Sequence, residues 1–496
     1  MMSTRTLLGA VLVCSMVWNC AAFLPLSLGR INVAARTQDS FCSISGRVAS
    51  SRPGRSAGLQ SLRCAEEAVT PPRRRTGRGN KICILGGGFG GVYTALKLAA
   101  LAPLEDPKAE ITLVDASERF VFLPLLYELV TGELQDWEVA PVFTDVLKGS
   151  GVKFVHGSVL GVDKDSRTVS VQKASVAGGG ETTVEFDKLV VALGQEPSLP
   201  EAGRIKELAL PFARVQHAHT LRTRLRHLSL KRAAAAARGA GGKASIAVVG
   251  GGYSGVELAC SLAETHKSWA EVKLFQRSDN VLPGATRYGR TTSRQEMQAR
   301  GVTLMTHSAI LSLDEESLTY KKTEGGEEHT EPAHIVVWTG GMQANSVVGS
   351  ALGFKTNEQG RLPVDLFLRV RGEEGVYALG DIADSTDHLG DAVPRTAAAA
   401  LQQSETLAWN LHASLTYGVP VKFRYQDLGE MMTHGAGGAS VASAVFGLKA
   451  SGPLAAAIRR ATYLLRMPGL QHKAQVAGSW ARRLPSDLQK ILQRPQ

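Results

Sequence analysis

The stretch SIAVVGGGYSGVELA, Ser245–Ala259, repeats the pattern of KICILGGGFGGVYTA, Lys81–Ala95, which lies 164 residues earlier. Each runs through a short apolar segment, then G-x-G-x-x-G, then the start of a helix with apolar residues at helical spacing. In such a unit the first two glycines, Gly86 and Gly88 or Gly250 and Gly252, let the backbone turn tightly and approach a pyrophosphate. The third, Gly91 or Gly255, lets the helix pack closely on the strand. The helix N-terminus then offers unpaired N–H groups and a positive dipole end to phosphates. A single copy is also the geometry of an ordinary strand–helix connection. Two copies, each after a strand and before a helix, predict two dinucleotides held side by side so that electrons pass between them. Phe89 and Gly90 in the first turn, and Tyr253 and Ser254 in the second, are candidate binding residues by position.

The strands that follow the two turns differ in charge. EITLVD (110–115) ends on Asp115, 24 residues after Gly91, where an acid bonds the adenosine ribose hydroxyls. Val159, in the next strand-like run GVKFVHGSVLGVD, is a further candidate. The corresponding strand of the second unit reads EVKLFQ (271–276) and lacks the acid. Gln276 and Arg277 stand 21 and 22 residues after Gly255. A carboxylate there would repel a 2′-phosphate and an Arg would pair with it, so NADPH is the expected nucleotide, with NADH the alternative.

The net charge of +11 is concentrated at one end. Residues 23–78 hold ten Arg, no Lys and three acids, and Arg5 adds one more cation, which leaves about +3 for the last 418 residues. No polyanion-binding surface follows, and no nucleic-acid partner is expected. Residues 1–22 carry a basic start, the apolar run LLGAVLVCSMVW and a Cys-Ala-Ala end, the pattern of a signal peptide. Residues 23–78, with eleven Ser/Thr beside the ten Arg, have the composition of a transit peptide. The two in series, joined at Phe23, resemble the bipartite leader of proteins sent to complex plastids; a secreted protein with a basic arm and a mitochondrial protein are the alternatives. No metal-ligand spacing, Walker loop or hydrolase triad is present.

The pattern beyond the leader predicts an α/β fold: two Rossmann-like dinucleotide-binding domains, the second inserted into the first, plus a C-terminal amphipathic segment. The expected boundaries are 79–243 and 346–420 for the FAD-binding domain, 244–345 for the NAD(P)H-binding domain, and 421–496 for the tail. The tail places Leu454, Ile458, Ala461 and Leu465 on one helical stripe, with Arg459, Arg460 and Arg466 off it. A second short helix carrying Trp480 is expected to end at Pro485. Such a basic amphipathic helix lies in a lipid interface or packs against its own domain or a second copy, giving a homodimer.

The set 86-GGGFGG-91, 187-DKLVVALG-194, 250-GGGYSG-255 and 375-GVYALGD-381 resembles the two-dinucleotide-binding-domain flavoproteins. The resemblance implies FAD at the first turn, with Ala192 and Gly194 beside it and Gly380 and Asp381 capping its ribityl and diphosphate. ERFVFLPLLYELVTGELQDWEVAP (118–141), VVWTGG (336–341, with Gly340 and Gly341) and PRTAAAALQQ (394–403) resemble type II NAD(P)H:quinone oxidoreductases. FRYQDLGEMMTHG (423–435) and GPLAAAIRRATYLLRMP (452–468) are similar to the plastid C-class of that family. What the resemblance implies is reduction of a membrane prenylquinone, of the plastoquinone or naphthoquinone type, without proton pumping, at a thylakoid or plastoglobule.

Four of the six cysteines (14, 20, 42 and 64) lie in the leader, and Cys83 and Cys260 sit alone in apolar runs. With no reactive pair, dithiol-reductase chemistry is excluded, and the acceptor is expected to take electrons directly at the flavin. The family's Gly-x-Glu falls on Glu257, which implies proton handling or a hold on the carboxamide beside the nicotinamide. The helix opening at Thr396 and Ala397 is expected to aim its N-terminal N–H groups at the flavin. Gln402 matches the second amide of the family's Ala-Gln-x-x-x-Gln and implies a hold on the quinone, while Ala398 replaces the first. A soluble FAD reductase with a ferredoxin or monodehydroascorbate acceptor, and a flavin redox sensor without turnover, are the competing readings.

Overall fold

The structure, a computed structural model, describes residues 80–101, 109–174, 179–416, 418–445 and 447–492. The expected leader lies outside the described residues. β1 (Lys81–Leu85) is buried along all but its first residue, as an apolar run in a sheet covered on both faces must be. It pairs in parallel with β2 (Glu110–Asp115) on one side and β6 (Lys188–Val191) on the other. α1 (Phe89–Leu101) makes the crossover from β1. From β2 the chain passes through two short helices, α2 (Leu126–Thr131) and α3 (Asp136–Val139).

β3 (Lys153–Asp163) does two jobs. Its first four residues pair in parallel with β2, and from Gly157 it turns to pair antiparallel with β4 (Thr168–Lys173), which pairs with β5 (Glu181–Glu185). A Cβ at Gly157 would stand 2.5 Å from the Gln172 carbonyl oxygen, so this switch needs a glycine. The returning strand Val376–Ala378 pairs in parallel with β6 and completes a seven-stranded sheet.

The second sheet is wholly parallel, in the order β10-β9-β8-β11-β7. Its strands are β7 (Leu210–Pro211), β8 (Ala244–Val249), β9 (Ala270–Phe275), β10 (Val302–Met305) and β11 (Ile335–Trp338). α4 (Val215–Ala237) precedes β8, α5 (Tyr253–His266) follows it, and α6 (Arg287–Ala299) precedes β10. The edge strand β7 comes from before residue 244, so this sheet draws on chain upstream of the second glycine motif. The chain is thus α/β with two parallel-strand sheets, as its repeated motif predicts.

α7 (Ala397–Thr416) packs along α1. Beyond it lie β12 (Glu430–Thr433), β13 (Ala439–Ala442) and β14 (Lys449–Ser451), an antiparallel sheet, then α8 (Gly452–Arg466) and α9 (Leu470–Leu492). Two tail expectations need correction. α9 continues past Pro485, because a proline within a long helix removes one backbone hydrogen bond and can be carried without ending it. The tail cations also do not all lie at the solvent: α8 turns Ala455, Arg459 and Tyr463 inward. Of the apolar stripe, Leu454 and Leu465 are 57% and 39% exposed, while Ile458 packs half-buried against Ala439, Val441 and Ala455. Among the described residues no helix is long and apolar enough to cross a membrane.

α9 is fastened to α3 by Arg483, which donates to the buried Glu138 Oε2 at 2.7 Å and to the Glu133 carbonyl at 2.7 Å. Glu138→Ala removes the buried carboxylate that Arg483 pairs with and is expected to lower stability by about 3 kcal/mol, measured as a reduced thermal midpoint of the purified chain.

Candidate functional site

The two glycine turns are built on the same backbone contacts. Gly86 and Gly250 have φ of +101° and +112°, a region that side chains with a Cβ rarely adopt. A Cβ at Gly86 would collide with the Ala192 carbonyl, and one at Gly250 would stand 2.5 Å from the Gly340 nitrogen. At Gly91 and Gly255 an added Cβ would run into the carbonyl oxygen of Gly86 and of Gly250 respectively. The middle glycines, Gly88 and Gly252, have nothing within 4 Å of where a Cβ would stand. Each turn is therefore closed by backbone on the inside and open on the outside, at the end of a helix whose first N–H groups lack intrahelical partners. That open cradle fits a pyrophosphate at each turn.

The residue ending the next strand braces each turn. Asp115 accepts from the Gly87 N–H at 2.5 Å and the Ser117 N–H at 2.6 Å. Burial pushes its carboxyl up, and those two N–H groups oppose the shift. Gln276 does the same work without charge: its Oε1 accepts from the Gly251 N–H at 2.8 Å and its Nε2 donates to Ser278 at 2.6 Å. Arg277 stands exposed beside it, and among the described residues it has no ion-pair partner. Tyr253 is 37% exposed at the start of α5 and donates to Glu430 Oε2 at 2.8 Å; Ser254 is exposed next to it. Gly341 lies against Ser198, whose N–H donates to the Gly341 carbonyl at 3.0 Å.

The expected partners of the first turn assemble around it. Gly90 lies against the Leu379 side chain, which brings the Val376–Gly380 run to the motif. Gly380, Asp381, Arg395, Thr396 and Gln403 line one small cavity there. Burial pushes the Asp381 carboxyl up. Thr396 caps α7, its Oγ1 accepting from the Ala399 N–H at 3.2 Å, and half-buried Ala397 follows. Phe89 is buried among Phe120 and Phe122. Gly194, at φ +64°, receives the Asn345 N–H on its carbonyl at 3.2 Å. Val159 lies opposite Val171 on the antiparallel half of β3 and packs half-buried against the core.

Gln402 is engaged by the tail. Its Nε2 donates to the Gln426 carbonyl and its Oε1 accepts the Gln426 N–H, both at 2.9 Å, so its amide is spent on clasping the tail. The neighbouring Gln403, 100° round the helix, is the amide that faces the cavity. It is buried, accepts from the Gly380 N–H at 2.7 Å and donates to Ser385 at 2.9 Å. The Gln-Gln pair in the sequence gives no signal of which one turns inward.

Glu257 is buried on α5 and accepts from the Thr433 N–H at 3.1 Å. Burial raises its carboxyl to about 8, the negative Glu128 pushes the same way, and the Thr433 N–H opposes. A carboxyl that holds its proton to that pH can donate it near neutrality. Among the described residues no group of three or more His, Cys, Asp or Glu is placed to hold a metal ion.

A family model described as pyridine nucleotide-disulphide oxidoreductase matches residues 80–404. The chain belongs to that family. It is 37% identical over 403 residues to the demethylphylloquinone reductase NdbB of Synechocystis, covering 81% of this chain and 96% of that protein. It is 35% identical over 447 residues to the alternative NAD(P)H-ubiquinone oxidoreductase C1, chloroplastic/mitochondrial, of Arabidopsis thaliana, covering 86% and 85%. Among solved structures, NDH2 from Plasmodium falciparum in complex with NADH shares the fold, with a TM-score of 0.70 at 16% identity over 82% of this chain and 98% of that one. Among the described residues this oxidoreductase holds no disulphide, despite the family's name. Cys83 on β1 and Cys260 on α5 are free and buried, and burial pushes both thiols up to about 12.

The contrast between closed and open glycines gives paired expectations. Gly91→Ala drives a methyl into backbone and should lower the thermal midpoint and the FAD content together. Gly88→Ala should change stability by no more than about 0.5 kcal/mol while weakening FAD binding at least about tenfold. Absorbance of retained flavin and thermal melts check both. A second expectation concerns pH. Glu257 has its folded-state proton affinity raised, so its stabilising contribution is full below about pH 4.5 and is lost as pH rises through about 8. Glu257→Gln should therefore gain thermal stability over the parent chain as pH rises across that window.

Proposed function

We propose that the chain is an NAD(P)H:quinone oxidoreductase that reduces a plastid prenylquinone without pumping protons. The observation that carries this reading is the pair of matched turns, each open at its middle glycine, with no cysteine pair among the described residues to relay electrons. The first turn, with Ala192, Gly194, Gly380 and Asp381, would hold FAD. The second, with Tyr253, Ser254, Gly340 and Gly341, would hold the nicotinamide nucleotide. FAD, when bound, accepts a hydride from the nicotinamide and passes two electrons to the acceptor. The protein's part is to hold both nucleotides and to supply a proton, for which Glu257 is the donor.

Arg277 beside the uncharged brace Gln276 favours NADPH, because a 2′-phosphate there meets a cation, with an amide where the first turn has Asp115. The names of the two relatives, a demethylphylloquinone reductase and a chloroplastic/mitochondrial enzyme, support a naphthoquinone or related prenylquinone and a plastid. The exposed Leu454, Leu465 and Leu470 on α8 and α9 would rest in the lipid interface where such quinones dissolve.

The test is anaerobic reduction of the purified flavoprotein by NADPH and by NADH, then reoxidation by short-chain naphthoquinone and plastoquinone analogues. The reading predicts fast reduction by NADPH and fast reoxidation by a quinone. Reoxidation by ferredoxin but by no quinone would overturn it. Arg277→Glu is expected to raise the KM for NADPH about tenfold or more and leave that for NADH near the parent value, read from initial rates.

A further inference from the structure

α8 carries a cation into the interior. Arg459 is 2% exposed, and its Nη1 donates to Glu128 Oε1 at 3.2 Å across 331 residues of chain. Its Nη2 donates to the Pro124 carbonyl at 3.0 Å. The guanidinium lies over the rings of Tyr463 and Tyr127, 4.7 and 5.5 Å from their centroids. Arg460 brings a second cation 3.6 Å from Glu128 Oε2 and 3.5 Å from Glu133. Glu128, on α2, is 3% exposed.

A buried ion pair is a poor device for stability alone, since apolar residues of similar volume often serve as well or better. Its surroundings point to a use. α2 packs against α5, the helix of Glu257, and β12 packs against both α5 and α8. The field of Glu128 reaches Glu257, and Tyr463 lies within the fields of both Arg459 and Glu257. On its own helix Glu257 is flanked by Tyr253 and Cys260, both within its field. From α6, Glu296 and the capping Arg300 form an opposed pair whose fields meet at Cys260. Lys273 of β9 is paired with Glu271 and Glu331, and His219 of α4 with Asp136. From β12, Glu430 takes the Tyr253 hydroxyl at 2.8 Å, and Glu128, on the helix packed across from Glu257, is the carboxylate that the tail helix holds in place.

We propose that Glu128, fixed by Arg459 and Arg460 of the tail helix, is a positioning residue for quinone reduction, setting through its charge whether Glu257 carries the proton that the acceptor needs. This rests on the reading of Glu257 as proton donor. The balance is NADPH plus quinone plus one proton giving NADP⁺ plus quinol. A C–H bond of the dihydronicotinamide breaks and two O–H bonds form on the quinone. One of those protons comes from Glu257, which recovers it from water. Because the clamp belongs to the tail, a tail that leaves its seat also releases the proton site, so catalysis is tied to the helix that carries the exposed Leu454 and Leu465.

The test is infrared difference spectroscopy of the holoenzyme with pH, following the protonated-carboxyl stretch that Glu257→Gln removes, alongside the pH profile of kcat/KM for a quinone analogue. Removing the negative neighbour weakens the proton affinity of Glu257. In Glu128→Gln the band should vanish about one pH unit lower, a tenfold change in proton affinity, and the alkaline limb of the profile should move with it. Glu128→Asp should restore the parent position. Glu128→Gln combined with Arg459→Met buries no net charge and carries the test if the single variant does not fold. A band and limb unmoved in both Gln variants, while Glu257→Gln removes them, would overturn the proposal and spare the role of Glu257. A limb that survives Glu257→Gln would instead overturn the reading of Glu257 as donor.

Discussion

At both glycine turns a helix begins in backbone contact with the strand that precedes it. The Cα of Gly91 rests on the Gly86 carbonyl and that of Gly255 on the Gly250 carbonyl, so neither position tolerates a side chain. The contact fixes the helix axis on the strand and points the helix's unpaired N–H groups at the space outside the middle glycine. The parallel strand pairs on both sides of β1 and of β8 and the two open cradles depend on holding those two crossings. Elsewhere the chain is free to vary, and the two halves do differ.

The difference lies in charge, because the architecture is shared. Asp115 and Gln276 brace equivalent N–H groups with equivalent oxygens, one as a carboxylate and one as an amide. An amide in place of the acid puts no carboxylate at the brace of the second turn, with Arg277 exposed beside it. The same economy appears at Glu257, whose proton affinity is set by burial and by a carboxylate brought across from another helix. With Cys83 and Cys260 buried and unpaired, electron transfer finds no thiol relay among the described residues, and what remains for side chains is placement and one proton.

The repeated motif made the sheets, the crossovers and the cradle glycines legible, since each rests on neighbours within a few residues and on a spacing that only backbone contact explains. Asp115 and Gln276 were legible as strand ends, although their bond to the glycine turn was not. The misses share a cause in long-range packing. Gln402 and Gln403 are adjacent and chemically identical, and only the approach of Gln426 decides which clasps the tail. Arg459 sits among small residues in a basic helix and reads as a surface cation until Glu128, 331 residues away, receives it. Pro485 reads as a helix end by local rule, yet α9 carries on through it.

The central claim is that one chain holds two nucleotides at once in matched, separable cradles. Native mass spectrometry of the purified chain titrated with FAD and NADP⁺, alone and together, tests it most directly. The account predicts one of each bound simultaneously, with Gly252→Ala weakening NADP⁺ and leaving FAD in place. A chain that binds a single nucleotide, or in which FAD and NADP⁺ displace one another, would contradict it.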